Sequence, residues 1–474
     1  MERKNFVYMN KFFAFIFTLI CLSVIFTLPS FGGEITDAAV ITSSGKASKL
    51  TDVNHKTKIK YDDGGTIRIE SENEKISHVY VIWDNPPGKW YLNEELVSYT
   101  HGKNGFIHEF ITLNTPCDYV TVNVPDGKTV CDVRVFSEGE IPSDVQIWNP
   151  PHERADLLML PCHSDDDHLY FGGTMPYYGG EFGMRVQVAY ITNHWGEAVR
   201  THELLNGMWT VGITAYPVIS EFPDKATFSL ETAQQIYDSD KVRGYIVELI
   251  RRFKPYVLLG HDLLGEYGHG AHMLSALLIT EAVEISMNEN EYPESAEKYG
   301  VWDVPKTYLH NYEKNQIRMD WDIPLERFGG KTGFQMAEAG FDCHKSQHIY
   351  DLTVHRNGRC SCRFFGLYRT TVGVDEVKKD FFENIVFEDE TPPETEQVTT
   401  TAPETVPETA VETMIETDVI TVDEETEEYV TEFSYDEDEE EKQQRITSEI
   451  ICFSIFGVLI AVTVIIAVSR YKKR

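Results

Sequence analysis

Leu157-Leu158-Met159-Leu160-Pro161-Cys162-His163-Ser164-Asp165-Asp166-Asp167 is the stretch on which the reading of this 474-residue chain turns. Four consecutive apolar residues closed by a proline suit a short strand buried on both faces, as a parallel sheet requires. The strand runs straight into a loop of one imidazole and three carboxylates. The layout returns further on, where Tyr256-Val257-Leu258-Leu259 leads into Gly260-His261-Asp262 and then Gly265-Glu266-Tyr267-Gly268-His269-Gly270-Ala271-His272. Another apolar run covers residues 186–191, and helical periodicity falls at 203–211 and 241–253. Alternating strands and helices with right-handed crossovers predict an α/β domain on a parallel sheet, with the chemistry on the loops that follow the strands.

Those loops carry metal-binding chemistry. A His163-x-x-Asp166 turn can aim a ring nitrogen and a carboxylate oxygen at one point, and His269 and His272, three apart at a helix start, share a face. An acidic run alone is ordinarily a solvated loop or a weak calcium site, and a lone His-x-x-His is ordinarily structural. Their occurrence together, at corresponding ends of two predicted parallel strands, points to three ligands and an open position for water. No Cys-x-x-Cys zinc spacing is present.

At these residues the sequence resembles the PIG-L/LmbE-like family of metal-dependent N-acetylglucosaminyl deacetylases. The family pattern His-Pro-Asp-Asp-Glu stands here as His163-Ser164-Asp165-Asp166-Asp167, followed by Gly172-Gly173-Thr174. Its Arg-x-x-Glu helix start stands as Arg200-Thr201-His202-Glu203, its late block as Gly265 to His272, and its His-x-Ser-Gln element as His344, Ser346 and Gln347. The resemblance implies a Rossmann-like deacetylase domain over residues 149–387, with His163, Asp166 and His272 binding zinc or ferrous iron. It further implies Asp165 as general base, His269 and Tyr267 facing the developing oxyanion, and Arg200 holding sugar hydroxyls. Departures occur at Ser164 for Pro, Asp167 for Glu, and Gly270-Ala271 for Pro-Asp. The last removes an acid that orients its neighbours, a role that Asp262 or Glu266 could take over. His168, His194 and His261 are read as bystanders.

Residues 34–148 read as a separate all-β unit. Period-two alternation marks 66–70, 76–83, 119–124 and 129–137, separated by Gly, Pro, Asn and Asp turns. The succession Ala47-Ser48-Lys49-Leu50-Thr51-Asp52, Gly65-Thr66-Ile67-Arg68-Ile69, then His78-Val79-Tyr80-Val81-Ile82-Trp83-Asp84 resembles discoidin-like, galactose-binding-like jelly rolls. Such modules bind sugars through loops, so Trp90 and Tyr91 are candidates for a platform. The turn Pro125-Asp126-Gly127-Lys128 predicts a hairpin that places Cys131 opposite Val122, which argues against a Cys117–Cys131 bridge. Cys343, Cys360 and Cys362 leave room for one disulfide, with the partners open.

The ends address a membrane. Arg3, Lys4 and Lys11 precede an apolar run at 12–28 with Ser30 and Gly32 after it, as in a cleaved signal peptide, residues 1–33. An uncharged run at 450–468 lies in a predicted transmembrane helix, 446–469, and the basic tail 470–474 places the preceding chain outside the cell. Between them, residues 388–445 are rich in Thr, Pro and Glu and read as an extended acidic stalk. Acids outnumber Lys and Arg 76 to 42 for a net charge of −34. About 22 of the negative charges fall in the stalk, leaving about −12 elsewhere. Neither part suits a phosphate backbone, which excludes nucleic acid as partner. The sequence therefore predicts a cell-surface deacetylase anchored by its C-terminal helix and acting on an N-acetylated glycan or glycolipid. The alternatives are a non-catalytic carbohydrate-binding or adhesion protein and a related metal amidase acting on a non-sugar conjugate.

Overall fold

Nine strands build two antiparallel sheets in the computed structural model, which describes residues 33–387. They are β1 (Val40–Ser43), β2 (Ile59–Tyr61), β3 (Gly65–Glu70), β4 (Ile76–Trp83), β5 (Trp90–Glu94), β6 (Val97–His101), β7 (His108–Cys117), β8 (Tyr119–Val124) and β9 (Lys128–Phe136). One sheet has the order β1-β3-β8-β5-β6, the other β2-β9-β4-β7. In the first, Ile67, Ile69, Val120, Val122 and Val124 are buried while their neighbours in sequence are partly exposed, so one face meets the core. Strands β4 and β9 instead read as nearly continuous buried runs, because both their faces are covered.

The expected hairpin between residues 119–124 and 129–137 does not form. Strand β8 pairs with β3 and β5, whereas β9 pairs with β2 and β4. The Pro125 to Lys128 turn crosses from one sheet to the other, with the Gly127 N–H donating to the Tyr61 carbonyl of β2 at 2.7 Å. Cys131 is therefore no neighbour of Val122. Cys117 and Cys131 stand near opposite ends of β4, beside Ile76 and Trp83, and both are free thiols, as are Cys343, Cys360 and Cys362.

Trp90 is likewise no platform. Strand alternation turns its indole inward, where it is fully buried against Trp83 and donates from Nε1 to Glu109 at 2.8 Å. Tyr91 points outward beneath Lys89.

The remaining strands, β10 (Leu157–Met159), β11 (Val186–Tyr190), β12 (Val218–Ile219), β13 (Val257–Gly260), β14 (Lys306–His310), β15 (Gln316–Arg318) and β16 (Phe364–Thr370), form one sheet of order β12-β11-β10-β13-β14-β16-β15. The first five are parallel, and β16 and β15 extend them antiparallel. The strand order reverses about β10, which puts the crevice of a doubly wound sheet beyond the carboxyl ends of β10 and β13. Helices α1 (Asp166–Leu169), α2 (Ala198–Thr210), α3 (Leu230–Ile236), α4 (Ser239–Phe253), α5 (Gly270–Ile285), α6 (Pro293–Tyr299) and α7 (Gly333–Phe341) cover its faces. Side-chain caps fix several starts: Ser229 accepts from Thr232 N–H, Asp238 from Lys241 N–H, and Thr332 with Gln335 forms a capping box.

The two regions share one apolar core. Phe106 stacks on Tyr216 with ring centres 4.5 Å apart, Trp148 packs against Tyr216 and Trp209, and the Ile107 N–H donates to the Tyr216 hydroxyl. Among the described residues no helix is long and apolar enough to cross a membrane. The predicted signal peptide, stalk and transmembrane helix lie outside the described residues, apart from Gly33.

The inward placement of Trp90 has a measurable consequence. Trp90→Ala should lower the unfolding free energy by about 3–5 kcal/mol, while Tyr91→Ala should change it by less than about 1 kcal/mol, both measured by urea denaturation.

Candidate metal centre

Backbone hydrogen bonds carry the β10 chain past its last strand residue and so place His163. The Leu160 N–H donates to Leu259 O, and Pro161 O and Cys162 O accept from the Ile191 and Thr192 N–H groups. The next turn folds on itself, with the His163 backbone N–H donating to Asp166 Oδ2 at 2.7 Å. On the neighbouring strand β13, the chain continues through His261 and a tight turn at Gly265 (φ 67°) into helix α5. Gly270 opens that helix where the family pattern has proline. A side chain there would come within 2.2 Å of the Ser229 carbonyl, so the close approach of the 223–229 loop requires glycine.

The three expected ligands converge. His163 Nδ1, Asp166 Oδ2 and His272 Nε2 form a triangle with sides of 3.0, 3.1 and 3.2 Å, and all three residues are buried. A tetrahedral ion with bonds of about 2.0–2.1 Å sets its ligand atoms about 3.3 Å apart, so the spacing fits a metal. Proton placement is compatible with that. His272 Nδ1 lies 2.7 Å from Glu266 Oε2, and His163 Nε2 lies 3.3 Å from Asp224 Oδ1. A carboxylate can only accept, so His272 Nδ1 carries the proton of its bond to Glu266, while His163 Nε2 is close to Asp224 without a hydrogen bond. In the neutral ring of His272 the inner Nε2 is then a lone pair aimed at the Asp166 carboxylate. A bound cation, or a proton on one of the two rings, would relieve the repulsion among these three atoms.

Glu266 organises the wall behind this triangle. Fully buried, its Oε2 accepts from His272 Nδ1 and from His261 Nδ1 (2.9 Å), and its Oε1 from His310 Nδ1 (2.6 Å) and the Asp262 N–H (3.2 Å). Burial disfavours the Glu266 anion, but the neighbouring His261 and the hydrogen bonds of His261, His272 and His310 outweigh it and hold its carboxyl well below the usual range. It thus orients a ligand imidazole in the manner usual for metal sites. His261 is not a competing ligand, although it lies near Asp166 and His272. Its Nε2 accepts from the Cys162 N–H at 2.8 Å, which consumes the lone pair and ties the β10 and β13 loops together.

Asp165 stands beside the triangle, buried, with Arg200 donating to its Oδ1 at 3.0 Å. Burial, then repulsion from Asp166, raises the Asp165 carboxyl above its usual range, while Arg200 opposes the rise. Arg200 also reaches Asp224 at 3.4 Å. His269 packs edge-on against His163, with ring centres 4.8 Å apart, and its buried Nδ1 has no partner. Burial, with the neighbouring His163 and His272, depresses its pKa to about 3, so its ring is neutral near pH 7. Tyr267 is more than half exposed, 5.6 Å ring to ring from His269, and its backbone lies in the left-handed region (φ 46°), a strained conformation for a tyrosine.

Asp167 faces away from the triangle and accepts from the Tyr190 hydroxyl at 2.8 Å. The Arg200-x-x-Glu203 and His344-x-Ser346-Gln347 elements meet, with the Ser346 N–H and Oγ both donating to Glu203. Asp224 and His310 were not singled out from sequence. Asp224 sits alone in a loop without pattern. His310, the last residue of β14, was findable by the rule that parallel-strand ends carry chemistry, had that strand been recognised.

An α/β domain with a buried two-nitrogen, one-oxygen cradle at its switch point is thus what the fold and site define. No family model matches the chain. It is 25% identical over 215 residues to a 1D-myo-inositol 2-acetamido-2-deoxy-alpha-D-glucopyranoside deacetylase 1 of Catenulispora acidiphila, across 40% of this chain and 65% of that protein. With a deacetylase of the same description from Streptomyces scabiei the identity is 25% over 188 residues, 34% of this chain and 57% of the relative. The chain therefore spans less than two thirds of the length of these relatives. Among solved structures it is similar to an N,N'-diacetylchitobiose deacetylase from Pyrococcus horikoshii, at 18% identity and a TM-score of 0.32, covering 43% of this chain and 74% of that one.

Because Glu266 holds the ring of His272, Glu266→Gln should weaken metal affinity by about 10- to 100-fold. Competition against a chromophoric chelator measures the change, and His272→Ala should lose the ion from this centre altogether.

Proposed function

We propose that this chain is a metal-dependent deacetylase that hydrolyses the acetamide of an N-acetylhexosamine compound. The observation that carries the reading is the triangle of His163, Asp166 and His272 with Asp165 at its side. A divalent ion in that cradle, zinc by its mixed nitrogen and oxygen donors, supplies Lewis acidity and brings the pKa of water toward about 7. Asp165 accepts the proton of the attacking water and returns it to the leaving amine. Arg200 holds the Asp165 carboxylate in place by its hydrogen bond and fixes the direction from which that proton is taken. His269, neutral with a free ring nitrogen, and the half-exposed Tyr267 donate hydrogen bonds where charge develops on the acetyl oxygen. The similarity to deacetylases of 2-acetamido-2-deoxy-glucopyranosides supports the choice of an N-acetylated sugar.

Anchoring outside the cell by the apolar run at 450–468, with a glycan or glycolipid as substrate, is the part of the proposal that rests on sequence alone. A purely binding role is less well supported, since a binder has no use for a carboxylate clamped beside its metal ligands.

Asp165 and Asp166 are adjacent, yet only Asp166 belongs to the triangle. Asp165→Asn should keep the metal and lower acetate release by about 10²–10⁴, whereas Asp166→Ala should lose both metal and activity. Metal content measured beside acetate release on N-acetylglucosaminyl compounds separates the two. Full activity in Asp165→Asn would remove Asp165 from the mechanism.

A further inference from the structure

Where the N-terminal sheets meet helix α2, three imidazoles converge away from the centre already described. His108 on β7 and His202 on α2 bring Nε2 and Nδ1 to 2.8 Å. His55, on the loop before β2, places its ring centre 4.5 Å from that of His202 and 5.3 Å from that of His108. One ring nitrogen of each lies within 4.8 Å of the other two. The far nitrogens of the two buried rings are already engaged, His108 Nδ1 with the Tyr80 hydroxyl at 2.7 Å and His202 Nε2 with Cys131 Sγ at 3.8 Å. With those outer nitrogens as donors, the inner pair are bare lone pairs facing one another, the arrangement that outer hydrogen bonds impose on ligand imidazoles. A single shared proton would satisfy His108 and His202 but leaves the position of His55 without a reason.

That position is held at a cost. Val53, a β-branched residue, sits at φ 53°, and Asp52 ties the turn by accepting from the Asn54 N–H at 3.1 Å and the Thr57 hydroxyl at 2.7 Å. Burial keeps all three imidazoles neutral, His55 with a pKa near 4, so their lone pairs are available at neutral pH.

We propose that His55, His108 and His202 bind a second divalent transition metal, zinc by ligand type, which clamps the N-terminal sheets to helix α2. Three neutral nitrogens suit zinc, and His55 is the one partly exposed ring of the three. The other side of His202, toward Cys131 and Asp84, is not the ligand set, since Asp84 is already paired with Lys58 at 2.8 Å. The ion takes no part in bond breaking. It holds α2, which carries Arg200 two residues before His202 and therefore the partner of Asp165.

Metal content of the full-length chain, purified with zinc present and measured by mass spectrometry, tests this independently of the deacetylase reading. The wild type should hold two ions per chain, His55→Ala one, His272→Ala one and the double variant none. Cys131→Ser should retain two. His55 lies on a surface loop and is the least buried of the three rings, so its truncation disturbs the core least, and His55→Asn replaces the alanine variant should circular dichroism show misfolding. Wild-type ion content in both His55 variants would overturn the proposal and leave a proton-sharing imidazole pair. Loss of an ion in Cys131→Ser would overturn it as well, because the ligands would then lie on the other side of His202.

Discussion

The parallel pairing of β10 with β13 is the constraint on which the centre depends. Leu157 lies beside Val257 and Met159 beside Leu259, so the strands end level and their loops leave the sheet side by side. Chain segments roughly a hundred residues apart thereby deliver His163 and Asp166 from one loop and Glu266 and His272 from the other. A slip of one residue in that register would turn each strand's side chains to the opposite face. The Cys162 N–H bond to His261 then locks the two loops beyond the last ladder bond.

Charge is arranged around this pairing in two layers. The inner layer is the triangle of His163, Asp166 and His272, whose spacing fits a metal ion. The outer layer is Glu266, which accepts from His272 Nδ1, and Asp224, whose carboxylate stands 3.3 Å from His163 Nε2. Glu266 reaches His272 from four residues before the helix starts. Arg200 contacts both Asp165 and Asp224, so the two carboxylates share one guanidinium. Burial makes each of these groups costly when unpaired, which is why the site is legible as a network rather than as separate side chains.

Much of this was readable from sequence where the pattern was strong. Strands β10, β11 and β13 announce themselves as short apolar runs, and the two loops that carry the candidate ligands follow from their position after those strands. The antiparallel extension was not legible, because Lys306-Thr307-Tyr308-Leu309-His310 reads as polar. Its lysine is buried only because Asp375, remote in sequence, pairs with it. The β8–β9 turn has hairpin residues but connects two sheets, a choice made by the Tyr61 carbonyl and invisible locally. Trp90 looked like a binding aromatic until alternation along β5 turned it inward. Asp224 carries no local signal at all, since its role arises from a loop packed against the start of α5.

The central claim is that a metal at the triangle enables removal of an acetyl group from an N-acetylated sugar. The measurement that tests it most directly is acetate release from N-acetylglucosaminyl-inositol and chitobiose by the full-length chain, before chelation, after chelation, and after zinc is returned. The account predicts release that chelation abolishes and zinc restores in the wild type, with no restoration in His272→Ala. Release that is unchanged by complete metal removal, or none from any N-acetylglucosaminyl compound by the fully loaded chain, would contradict it.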